Sequence, residues 1–175
     1  MESSTVFYLA RHGKAVSNAK DAPLSAEGIT QAEMLAEFLA SIEGLQIARL
    51  ISSSYLRAWQ TAEIIERKLG IKLEPPESRL REQGVRGFDE EESEEQVIMR
   101  VANLMEQLRH SGHHSFLLVT HRLTLTLLLR HYAPEFVLGT VTSPDLYTLT
   151  FRDGASPEAG RLWIPNQQPE VLSKL

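Results

Sequence analysis

The sequence contains no cysteine. Disulfides, thiolate metal sites and cysteine nucleophiles are therefore excluded, and any chemistry must come from other side chains. It also lacks an excess of positive charge: 18 Lys and Arg stand against 23 Asp and Glu, a net charge of −5. That balance argues against a protein held on nucleic acid by bulk charge, but it leaves room for a local basic pocket. No long hydrophobic run is present. The longest apolar stretch, Leu117 to Leu129, is broken by His121 and Arg122, so it is too short and too polar to span a bilayer. The opening "MESSTVF" has no basic segment followed by an apolar one, so no signal peptide is read. Absence of cysteine permits a cytoplasmic location without proving it, and that location is the expectation.

The 175 residues, 42% of them apolar, fit one domain spanning 1–175 with a core of its own. Apolar and punctuating segments alternate. Val6 to Ala10 is a short apolar run with aromatic and β-branched members, the pattern of a buried strand. "PLSAEGITQAEMLAEFLASIEG" predicts a helix, with Ser25 as N-cap and Gly44 after its end. "ARLISS" predicts a second strand, "YLRAWQTAEIIERKLG" a helix closed by Gly70, and "IKLEPP" a third strand or extended piece stopped by Pro75 and Pro76. Arg79 to Glu95 reads mostly as loop. Ser93 and Gln96 then have capping-box spacing for a helix to about His110. "HSFLLVT" is a fourth strand and "LTLTLLLRHY" the helix after it. "DLYTLTF", the turn-rich "RDGASPEAG" and the returning "RLWIP" suggest a closing hairpin. Strands alternating with helices predict a three-layer α/β domain with a mainly parallel sheet.

In such sheets, ligands bind outside the carboxyl ends of the strands. The first strand ends there in Arg11, His12 and Gly13, and the "SFLLVT" strand ends in His121. "SSSYLRAWQTA" brings Arg57 into the first turn of a helix, where a guanidinium and the helix N-terminus together favour an anion. "RLREQG" offers Glu82 on a loop. Two histidines, two arginines and a carboxylate suit phosphate-ester cleavage. The arginines stabilise the transferring group, a neutral histidine attacks phosphorus, and the acid protonates the leaving oxygen. The positive charge comes from the protein, so neither metal nor cofactor is called for.

"LARHGKAVSN", "PLSAEGITQAEMLAEFL", "ISSSYLRAWQTAEII", "RLRE" and "LLVTHR" resemble the successive motifs of the histidine phosphatase superfamily, the phosphoglycerate-mutase-like clan with an Arg-His-Gly motif. The resemblance runs from about residue 5 to 130, and "SPDLYTLTFRDG" is similar to the family's closing strand. It implies a mostly parallel six-stranded sheet with one antiparallel strand. It further implies that His12 is the phosphorylated nucleophile, Arg11 and Arg57 phosphate ligands, and His121 the second pocket histidine. Glu82 would be the proton donor, and Asn18 would reach the phosphate or its ester. The expected activity is metal-independent hydrolysis of phosphomonoesters through phosphohistidine. The expected substrate is a small phosphorylated metabolite or a phosphoprotein.

Three departures stand out. Arg122 replaces the glycine that usually follows the second histidine, and its guanidinium either enters the pocket or lies along the surface. "RGFDEE" replaces a tryptophan–glutamate–glycine run. The span from Glu82 to His121 is short, which resembles the open phosphatases more than the glycolytic mutases. A phosphoglycerate-type mutase and a phosphate-binding regulatory protein without turnover remain the alternatives. So do structural readings of single residues. Arg11–His12–Gly13 could be a strand-end turn with Gly13 at positive φ, and His121 a satisfied core histidine. Arg57 could be a surface residue paired with Glu63 or Asp21. Glu82 and Glu77 could be solvated carboxylates, and "DEEESEE" a surface charge cluster. Lys14 and Arg122 could be surface cations or substrate contacts. Oligomeric state is not read from the sequence, and "NQQPEVLSKL" could be a loose tail or a docking strand.

Overall fold

The computed structural model describes residues 4–87 and 89–163. The tail "NQQPEVLSKL" lies outside these residues. In chain order the elements are β1 (Ser4–Arg11), α1 (Ala26–Ser41), β2 (Arg49–Ser52), α2 (Leu56–Leu69) and a 3₁₀ turn (Ser78–Leu80). They continue with α3 (Glu94–Arg109), β3 (Ser115–Thr120), α4 (Arg122–Tyr132), β4 (Asp145–Arg152) and β5 (Glu158–Trp163). The sheet order is β2-β3-β1-β4-β5. β2, β3 and β1 are parallel; β4 pairs antiparallel with β1 and with β5, so β4 alone runs against the rest.

The two faces of the sheet are covered by different helices, which accounts for strands that are apolar on both sides. Phe7, Leu9, Phe116, Leu118 and Leu149 pack with Val101, Leu104 and Met105 of α3 and Leu125 and Leu128 of α4. The alternate residues Ala10, Leu50, Leu117 and Val119 pack with Leu35 and Leu39 of α1 and Ala58, Ala62 and Ile65 of α2. The three-layer α/β/α reading therefore holds.

The helix ends follow the signals in the sequence. Ser25 Oγ accepts from the Gly28 N–H, and Gly70 closes α2 in the left-handed region at φ 70°. Ser93 and Gln96 form the full capping box at the start of α3.

The sheet has five strands among the described residues, not six. "IKLEPP" runs parallel to β2 only as isolated bridges, Leu50 to Leu73 and Ser53 to Glu77. The Glu74 and Glu77 N–H groups reach Leu50 O and Ser52 O, but Pro75 and Pro76 between them have no N–H to continue a ladder. The returning arm of the hairpin starts at Glu158, inside the segment read as turn.

Candidate active site

β1 and β3 are adjacent and in register, with Arg11 beside Thr120. Their carboxyl ends deliver His12 and His121 side by side, ring centroids 4.9 Å apart and edge to face. The His12 N–H bonds to Thr120 O at 3.1 Å, which ties the two strand ends together. β2 ends next to them, so α2 begins beside the histidines and turns Arg57 inward.

His12 is buried, and its ring is held at both nitrogens. Nδ1 lies 2.5 Å from Gly13 O, and Nε2 lies 3.1 Å from Arg57 Nε. A carbonyl only accepts and a guanidinium only donates, so Nδ1 carries the proton and Nε2 the lone pair. Burial, with the nearby Arg57 and Arg11 charges, pushes the imidazolium down to about 3. His12 is therefore neutral at physiological pH. The Gly13–Lys14 backbone packs on the start of α1 so closely that a Cβ on Gly13 would stand 2.3 Å from Gly28 O. Close approach, not a positive φ, is what requires glycine here. The Gly13 N–H also donates to Thr61 Oγ1 at 3.2 Å.

Arg57 is buried and donates from Nη1 to Ala19 O at 2.8 Å, not to Glu63 or Asp21. Arg11 donates from Nη1 to Val141 O at 2.9 Å. His121 is fully buried, with Nε2 2.7 Å from Ser53 Oγ. Burial and the neighbouring His12 keep its imidazolium form strongly disfavoured. Arg11 Nε and His121 Nδ1 are buried without a hydrogen-bond partner among the described residues. Buried polar atoms are nearly always satisfied, and both of these belong to residues at the same strand ends as His12.

Glu82 is at the N-terminus of α4 rather than in solvent. Its Oε1 accepts from Thr124 N at 3.0 Å, Thr124 Oγ1 at 3.1 Å and Gln83 N at 3.1 Å; among the described residues Oε2 accepts only from Leu123 N, at 3.2 Å. Oε2 thus keeps a lone pair for a proton.

A cavity of about 490 Å³ opens at these strand ends, lined among others by Arg11, His12, Asn18, Arg57, Glu82 and Arg122. His121 does not line the cavity; its ring is buried next to that of His12. Asn18 is exposed on the cavity wall. Lys14 lines it too, yet its ammonium pairs with Glu27 at 2.7 Å. Arg122 faces the cavity. No group of three or more acidic or histidine side chains suited to a metal ion occurs among the described residues.

Several supporting residues escape a reading of the sequence. Ser53 holds His121, and the Tyr55 ring lies edge to face on it at 5.2 Å. The Tyr55 hydroxyl, pushed up to about 12 mainly by burial, donates to Asp89. Ser143 Oγ donates to His12 O at 2.7 Å. Ser143 and Val141 belong to the segment leading into β4, which is tied down by the fully buried Asp145. That carboxylate accepts from Thr142 N, Tyr147 Oη and Arg161. The acidic run is also structural in part. Glu92 pairs with Arg81 at 2.6 Å and Arg100 at 2.9 Å, while Glu77 pairs with Arg79 at 2.7 Å.

Residues 7–90 match the model of the histidine phosphatase superfamily (branch 1). The match takes in His12, Asn18, Arg57 and Glu82 but not His121 or Arg122. The fold is shared with phosphoglycerate mutase from Bacillus anthracis str. Sterne: TM-score 0.80, 18% identity, 91% of this chain and 93% of that one. It is also shared with mycobacterial glucosyl-3-phosphoglycerate phosphatase in complex with VO3: TM-score 0.73, 20% identity, 90% and 97%. The protein histidine phosphatase SixA complexed with tungstate aligns with TM-score 0.72 and 20% identity, over 89% and 94%. No curated protein matches the chain by sequence.

Proposed function

We propose that this chain, which carries the histidine phosphatase superfamily model over residues 7–90, hydrolyses phosphomonoesters through a phosphohistidine formed at His12 Nε2. The observation that carries the reading is the neutral His12 with its lone pair on Nε2 against the Arg57 guanidinium; Arg11 Nε and His121 Nδ1, at the same strand ends, have no partner among the described residues. A tetrahedral phosphate brings the oxygens that those nitrogens lack.

Binding a phosphate would draw Arg57 Nε off Nε2 and onto an oxygen, which frees the lone pair as the charge to be stabilised arrives. Nε2 then attacks phosphorus, the P–O ester bond breaks, and the leaving oxygen takes the proton held on Glu82 Oε2. In the second half water attacks phosphorus, the P–N bond breaks, and the Glu82 carboxylate takes the water proton. The Nδ1–H bond to Gly13 O steadies the positive charge that the ring gains while phosphorylated. With Ser53 Oγ–H donating to Nε2 of His121, its Nδ1–H becomes a neutral donor to the phosphate.

SixA in complex with tungstate and the glucosyl-3-phosphoglycerate phosphatase in complex with VO3 hold oxyanions of this kind, which supports a phosphate-sized anion as the ligand here. The reading covers a small phosphorylated metabolite or a phosphoprotein as substrate. The test is hydrolysis of an aryl phosphate by wild type and His12→Ala with a chelator present. Turnover by wild type, unharmed by chelator and lost in His12→Ala, is expected. Near-full turnover by His12→Ala would overturn the reading.

A further inference from the structure

Building on the proposed phosphoryl chemistry at His12, we propose that Arg122 makes a second anion subsite, so that the preferred substrates are small phosphomonoesters carrying a further carboxylate or phosphate. Five cationic side chains line the cavity: Arg11, Lys14, Lys20, Arg57 and Arg122. Arg11 and Arg57 belong to the phosphate end and are anchored on Val141 O, His12 and Ala19 O. Lys14 is paired with Glu27. Lys20 is close enough to Asp89 to favour its charged form. Arg122 has no hydrogen bond or ion pair through its guanidinium among the described residues.

The cavity is also larger than one phosphate needs. At about 490 Å³ it is in the range of pockets that hold whole small molecules. Arg122 is near enough to Arg11 to disfavour the charge on that guanidinium, the largest influence after burial. Two guanidiniums repelling across one cavity are relieved by a ligand that brings negative charge to both. The main chain separates their tasks. Arg11 is the last residue of β1 and Arg122 the first of α4, whose N-terminus holds the Glu82 carboxylate through Leu123 N. An anionic group on the alcohol part of the ester would reach Arg122, and the planar fork can take carboxylate or phosphate in bidentate fashion. The phosphoryl group itself stays at His12.

The test uses phosphonates, whose C–P bond this chemistry does not cleave, so binding is read whatever the turnover. Titration calorimetry would compare 3-phosphonopropionate and propane-1,3-bisphosphonate with propylphosphonate on the full chain. Wild type is expected to bind the two doubly anionic compounds at least tenfold more tightly, about 1.4 kcal/mol at 25 °C. Arg122→Ala should reduce that preference to less than threefold, and Arg122→Lys should restore part of it. A gain with only one compound identifies the second group as carboxylate or as phosphate. Equal affinity of wild type for all three, or a preference that survives Arg122→Ala, would overturn the proposal. Turnover of an aryl phosphate in the same preparation reports separately on the reaction at His12. A binding preference without turnover leaves the subsite standing and removes the hydrolase; turnover without the preference does the reverse.

Discussion

Burying a neutral histidine has a cost that depends on pH, and His12 offers a way to measure it. In the unfolded chain a histidine takes a proton near pH 6.5; in the folded chain His12 resists protonation down to about 3. Between those values the unfolded state binds one more proton than the folded state, so stability falls as pH falls, by about 1.4 kcal/mol per unit. From pH 7 to pH 4.5 this comes to about 2 to 3 kcal/mol from His12 alone. His12→Gln removes the titrating ring while keeping a polar side chain of similar reach. Urea unfolding of both proteins at the two pH values gives a double difference. Carboxylates held ionised by partners, such as Glu77 and Glu92, also lose their contribution on acidification, but they do so in both proteins and cancel. Wild type should lose about 2 to 3 kcal/mol more than His12→Gln on going to pH 4.5. Equal losses would mean that His12 accepts a proton in the folded state, and a charged imidazole with no lone pair on Nε2 is not the nucleophile described above.

Glu82→Gln should slow an alkyl phosphate by about 100-fold or more and an aryl phosphate far less, because only the poor leaving group needs the proton. Equal slowing in steady-state assays would take the acid role from Glu82. Gly28→Ala puts a Cβ 1.9 Å from Lys14 O, and denaturant unfolding should show a loss of at least about 2 kcal/mol together with lower activity, since Lys14 follows the His12–Gly13 turn. Asp145→Ala strips the partner from Arg161, Tyr147 Oη and Thr142 N. It should cost about 3 kcal/mol and raise KM for phosphate esters, because Val141 O and Ser143 Oγ lose their fixed positions behind Arg11 and His12. A stability loss with unchanged KM would limit Asp145 to the fold.

Local signals in the sequence were enough for what depends on local signals. Ser25, Gly70 and the Ser93–Gln96 pair mark helix ends through their own backbone geometry, and strand-end position was enough to bring Arg11, His12 and His121 together. Three features needed the third dimension. Whether "IKLEPP" becomes a sheet strand depends on which N–H groups meet β2, and the two prolines interrupt that row at its middle. Glu82 could not be separated from its acidic neighbours by spacing, since its distinction is contact with α4, about forty residues further on. Asp145, Ser143, Thr61 and Ser53 hold the site through partners distant in sequence, so no periodicity marks them. Whether Arg122 entered the pocket was open in the sequence, because its position after a strand-end histidine allows either direction; in the structure it lines the cavity.

Hydrolysis through His12 requires a covalent bond between phosphorus and His12 Nε2 during each turnover. Wild type mixed with a fast-leaving aryl phosphate and quenched within the first turnover, at alkaline pH, should show by intact mass a fraction of protein heavier by one HPO3. Peptide mapping should place it on the peptide containing His12, and His12→Ala should show none. Hydrolysis by wild type with no phosphorylated protein at any quench time, or a label on another residue, would contradict it.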